Sequence, residues 1–156
     1  MLYATLKLLH LLAIVVWIGG MVFVHFFLRP AALQLETAQR IRLMHGALQR
    51  FFQAVLVSVV VVLASGLWMI GRVAKQTVQA GLDFSMPLHW TLMAALGLVM
   101  MGIFGHIRFA LFKRLDRAVQ ANDWTAGGAA LGSIRLWVGV NLAIGVAIIA
   151  STLLMA

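Results

Sequence analysis

Cysteine is absent from this chain of 156 residues. That excludes disulfides, iron–sulfur clusters and thiolate metal ligands. Charge is scarce too: 10% of residues are charged, and only four of these are acidic. No carboxylate pair, Ser/His/Asp set or phosphate-binding loop can be read, so hydrolytic chemistry is not indicated. Proline occurs twice, and both copies stand at the ends of apolar runs: Pro30 closes the first and Pro87 opens the third. What is abundant is apolar sequence, at 63%, more than a soluble domain of this size needs.

Four stretches read as membrane spans, at about Leu2 to Leu28, Leu48 to Ile70, Pro87 to Phe112 and Leu131 to Met155. Each reaches the ~20 residues that cross a hydrocarbon core of ~30 Å. Backbone in lipid must satisfy its own hydrogen bonds, so the expectation is helices. The predicted fold is all-α, a single transmembrane domain over residues 1–156 built as an up-down-up-down four-helix bundle. The connections contain turn residues: Gly81 and Asp83, Ser85 as an N-cap before Pro87, and the breakers Asn122-Asp123 and Gly127-Gly128. Residues 29–47 read as a cytoplasmic amphipathic segment.

The net charge is +8, and the basic residues sit at span ends rather than in a nucleic-acid-binding patch. Arg29, Arg40, Arg42 and Arg50 follow span one. Arg108, Lys113, Arg114 and Arg117 follow span three, and Arg135 starts span four. Lys7, Arg72 and Lys75 are on the other side. This asymmetry places the two richer connections in the cytoplasm and both termini outside, which is the periplasm if the cell is Gram-negative. The first run is long for a signal peptide and has its positive flank at the wrong end, so it reads as a retained span.

Within this apolar frame stand five histidines: His10, His25, His45, His89 and His106. An ionisable residue in a span marks a functional site by default, and imidazole ligates both haem iron and copper. Spans one and three run in the same direction, which puts His10 and His89 near the outer surface and His25 and His106 near the inner one. At ~1.5 Å per residue the two levels are ~22 and ~25 Å apart. That layout matches a diheme b cytochrome with His10/His89 as outer and His25/His106 as inner axial pairs. At ~100° per residue, His25 is rotated about 60° from His10, and His106 about 100° from His89 in the opposite sense. The inner pair is therefore displaced toward a neighbouring helix, where His45 offers an alternative ligand.

His10, Ile14, Trp17, Met21 and His25 form one stripe on span one. His89, Met93, Leu96, Met100 and Phe104 form its counterpart on span three. Trp17 and Met93 are then candidate haem walls, and Arg29, Arg108 and Arg135 candidate propionate partners. Each has a plainer reading as well: packing for the stripes and glycines, membrane anchoring for the arginines, and solvated interface for His45. Asn141, deep in span four, fits interhelical packing. A copper reading competes for the same residues, since Cu(I) favours thioether and imidazole donors. Met21 with His25, and Met93 and Met100 with His89 and His106, compose a Met/His ladder.

The segments Leu6-Lys7-Leu8-Leu9-His10, Trp17-Ile18-Gly19-Gly20 and Arg29-Pro30 resemble the first helix of the CopD-type family of small bacterial membrane proteins. Arg50-Phe51-Phe52 through Ser65-Gly66-Leu67-Trp68 resembles its second helix. Ile103 to Phe109, Ile134-Arg135 and Asn141-Leu142 also fit. This resemblance implies copper handling. The first helix is also similar to that of the haem-binding protoporphyrinogen oxidase of the HemJ type, whose helix-one histidine is an axial ligand. The His-x-Lys of that family corresponds here to His89-Trp90-Thr91, without the lysine.

The sequence reading is therefore a haem b-binding membrane cytochrome with one or two bis-His haems and a quinone or periplasmic redox partner. If it is an enzyme, it is a haem-dependent oxidoreductase. The alternatives are a copper-binding or copper-transport protein, a HemJ-like oxidase, and a non-catalytic accessory subunit.

Overall fold

The computed structural model describes residues 1–154; the last residue of the fourth predicted span, Met155, lies outside them. Among the described residues all regular structure is helical. Helix α1, Leu2–Phe23, runs through a π-turn at Val24–Leu28 into the short α2, Arg29–Ala32. Helix α3 covers Thr37–Gln79 and α4 covers Leu88–His106. A second π-turn, Ile107–Leu111, leads into α5, Phe112–Gln120, and α6 covers Trp124–Leu154. These form four continuous helical rods, each long and apolar enough to cross a membrane. The chain is a multi-pass membrane protein, and its lipid-facing surface carries large apolar residues such as Val57, Leu67 and Leu136.

The first π-turn has a local cause. Pro30 has no N–H to donate four residues back, and its ring crowds that carbonyl. The helix widens instead, and the Arg29 N–H bonds to the Val24 carbonyl five residues back.

The helix ends differ from the sequence expectation. The second span is part of a rod of 43 residues, ~64 Å long and about twice the hydrocarbon thickness. The expected amphipathic connection and the expected outer loop are largely helical extensions of it. Isolated Gly46, Gly66 and Gly71 each cost the helix only about 1 kcal/mol and do not break it. The rod stops at Gly81, φ 74°, where the Gly81 and Leu82 N–H groups bond to Val78 and Thr77 carbonyls. This is a Schellman C-cap. Asn122, φ 54°, ends α5 in the same way, with its own N–H and that of Asp123 bonded to Val119 and Ala118. The Asp123 carboxylate then accepts the Ala126 N–H at 2.9 Å and opens α6.

Two expected boundary signals are corrected. Ser85 is not the N-cap of α4; Pro87 is, and its carbonyl accepts the Trp90 and Thr91 N–H groups. Gly127 and Gly128 do not break the chain. They lie in the first turns of α6, where a Cβ on Gly127 would come within 3.1 Å of Ile41. A glycine there lets α6 approach α3 closely.

The bundle is two antiparallel pairs, α1 against α3 and α4 against α6, joined by contacts of α6 with α1 and α3. Helices α1 and α4 share no extended backbone seam. They meet through side chains, with Trp17 and Phe104 edge to face at 6.0 Å. Phe52 packs edge to face on Phe104 and Phe112, at 5.8 and 5.5 Å. These four rings, with Met21, Leu48, Val55 and Ile107, fill the middle of the bundle.

Candidate metal centre

His10 is the one buried histidine of the five, at 9% exposure. It sits in the N-terminal half of α1 and is held by α3. Its Nδ1 lies 2.8 Å from the Ser65 hydroxyl oxygen, and its ring rests on Gly66, where a Cβ would approach Cε1 to 3.3 Å. The Ser65 hydroxyl donates its proton to the Val61 carbonyl one turn back. With that proton directed to Val61, the hydroxyl accepts from His10, and the tautomer that fits has its proton on Nδ1 and its lone pair on Nε2. A ring whose Nδ1–H is anchored and whose Nε2 is bare is the usual state of a metal-ligating histidine.

The remaining candidates separate in space. His89 is half-buried at the start of α4, edge-on to Trp90. The contacts of His10 that the structure shows are with α3, and none is with His89. His106 is exposed and stacks edge-on against Trp137 of α6 at 5.5 Å. His25, in the first π-turn, lies against Gly139 of the same helix. Positions 137 and 139 are ~200° apart around a helix, so α6 stands between His25 and His106, and the structure does not bring this inner pair together. His45 lies over Phe112 in a parallel stack at 5.2 Å and pairs with Asp116 at 2.9 Å. Among the described residues, no three His, Asp or Glu side chains converge on one point.

Other donors lie inside the bundle. Among the described residues Met21, Met44 and Met100 are the buried methionines, and Met93 is half-buried. Asn141 is 1% exposed, and its side-chain oxygen has no hydrogen-bond partner. One turn along the same face of α6 is Gly145, against which the Met100 methyl group packs. Arg108 stacks over Phe112 and Phe109 with a buried, unpartnered Nε. Arg29 and Arg135, in contrast, do share a site. With His25 they line a cavity of about 170 Å³ at the end of the bundle where α1 leads into α2.

Residues 45–155 match the family model described as copper resistance protein D. The chain belongs to this family. No curated protein and no solved structure matches it. The match covers α4, α5, α6 and the part of α3 from His45 onward, including Ser65 and Gly66, and leaves α1 with His10 outside it.

Sequence reasoning missed three site residues. Ser65 entered it only as part of a resemblance, Arg40 only as a topology charge, and Asp116 not at all. Ser65-Gly66 inside an apolar run was the available signal for the first: a small hydroxyl beside a side-chain gap is what a buried polar ring on a neighbouring helix needs.

Proposed function

We propose that this CopD-family protein handles copper in the bacterial inner membrane, with both termini periplasmic and residues 1–156 acting as one domain. His10 is the entry ligand, and the buried thioethers of Met21 and Met100 lie deeper in the bundle. The observation that carries this reading is the contact of His10 Nδ1 with the Ser65 hydroxyl at 2.8 Å, which engages one ring nitrogen and leaves Nε2 for a metal. Imidazole and thioether are donors that suit Cu(I), and the unpartnered Asn141 oxygen adds a polar group near Met100. A bare ion needs no ring-sized slot, which agrees with a bundle centre filled by Trp17, Phe52, Phe104 and Phe112.

The same His10 geometry favours a second reading, a haem b axial ligand, for which His89 is the candidate partner on α4. The bundle middle would then stay packed and the haem would sit at the outer level. When bound, haem would supply one-electron redox chemistry toward a quinone or periplasmic partner, and this chain would supply the ligand and the apolar walls.

Copper analysis, Cu(I) competition titration and a reduced-minus-oxidised visible spectrum on the same purified sample separate the two readings. The copper reading expects stoichiometric Cu(I), lost in His10→Ala and weakened ten- to a hundredfold in Met21→Leu/Met100→Leu. A b-type spectrum that survives the methionine changes and is lost in His10→Ala would overturn it in favour of haem. Copper binding indifferent to His10 would overturn both assignments.

A further inference from the structure

The inner cavity is lined by three guanidinium groups from three elements: Arg29 at the head of α2, Arg40 in the first turn of α3 and Arg135 in α6. They are close enough for Arg135 and Arg40 to repel the charge on Arg29. None has a carboxylate partner. Among the described residues the single ion pair is His45 with Asp116, on other elements. Residues that only set topology have no reason to converge, since separate arginines can each reach their own headgroup. Arg29 and Arg40 are also half-buried, so less water compensates their repulsion. On the α6 side the wall is opened by Gly128 and Gly132, where a Cβ would meet nothing within 4 Å. The result is a cationic recess with room for a small polyanion.

We infer that the Arg29–Arg40–Arg135 cavity is a binding site for a phosphate-class anion, at the depth where the inner leaflet meets the cytoplasm. Guanidinium forks match tetrahedral oxyanions two oxygens at a time, and His25 at the cavity wall adds a ring nitrogen. The site is independent of the copper reading, because it uses neither His10 nor the buried methionines. Two sources carry this chemistry: the phosphate of an anionic lipid headgroup and a free phosphate from the cytoplasm.

The test uses the full-length protein, with Arg40→Gln and Gly132→Leu as site variants and Arg50→Gln as the control. Gly132→Leu fills the recess without removing charge and favours the helix. Arg50 is exposed and does not line the cavity. In one arm, delipidated protein in neutral detergent is titrated with inorganic phosphate against chloride at matched ionic strength. In the other, native mass spectrometry follows phosphatidylglycerol retained from mixed nanodiscs. Saturable binding in either arm, weakened about tenfold or more in both site variants but not in the control, supports the site. Which arm responds identifies the source. Binding absent in both arms, or equally affected by Arg50→Gln, overturns it. Circular dichroism confirms that each variant is folded.

Discussion

The contact between His10 and Ser65 can be tested by one substitution read against a matched one. Ser65 and Ser58 are on the same helix, and both are buried, at 3% and 4% exposure. Ser58 bonds only to its own helix, to the Ala54 carbonyl at 3.0 Å. Ser65 also meets the Nδ1 of His10 from α1 at 2.8 Å, as acceptor in the Nδ1–H tautomer. Ser58→Ala removes only a local bond that competes with the helix, so it should change stability by less than about 0.5 kcal/mol. Ser65→Ala strands a buried donor. In soluble proteins this costs about 1–3 kcal/mol, whereas interhelical bonds in membranes average about 0.6 with a maximum near 1.7. The expected loss is therefore about 1–2 kcal/mol. Equilibrium unfolding in mixed detergent micelles measures it, with far-ultraviolet dichroism as the probe. A double-mutant cycle with His10→Ala should return a coupling of about 0.5–1.7 kcal/mol. Nitrogen-15 spectra of labelled histidine should show His10 protonated at Nδ1 in the parent and free to change in Ser65→Ala. Equal losses for the two serines, or a coupling of zero, would refute the tautomer argument and with it the free Nε2.

Other outcomes follow from the packing. A Cβ on Gly20 would overlap the Phe51 ring, whereas one on Gly19 would meet nothing within 4 Å. Gly20→Ala should therefore cost about 1–3 kcal/mol and Gly19→Ala should be neutral or stabilising, both by unfolding in detergent. His45→Ala should lose about 1–2 kcal/mol, from a partly exposed pair with Asp116 worth at most about 1 kcal/mol and the stack on Phe112. His45→Phe should recover the stacking share. Because the chain lacks cysteine, single-cysteine variants report topology cleanly. Ala80→Cys should react with an impermeant maleimide added to intact cells, and Ala121→Cys only after the membrane is opened. The reverse pattern would invert the orientation.

Much of the fold follows directly from composition and pattern. Apolar runs of membrane length in a chain with little charge allow only helices that satisfy their own backbones, and four such runs with short connections make a bundle. Asn122 and Gly81 are turn residues as read, and each ends a helix longer than expected because it adopts a left-handed conformation at a C-cap. The longer helices were not legible, because polar residues outside the bilayer can continue a helix as readily as leave it. Thr37–Gln79 holds no proline and only isolated glycines, so nothing stops it.

The site divides along the same line. Sequence alone determined that ionisable side chains are embedded in apolar helices, that most arginines gather at one end of the spans, and that thiolate chemistry is excluded. Tertiary structure decided the partners. It gave His10 to Ser65 on α3, placed α6 between His25 and His106, and drew Arg40 into a cavity with Arg29 and Arg135. The physical reason is that periodicity fixes where a side chain stands around its own axis but not which helix lies opposite. A π-turn such as Val24–Leu28 also shifts the rotation of everything beyond it.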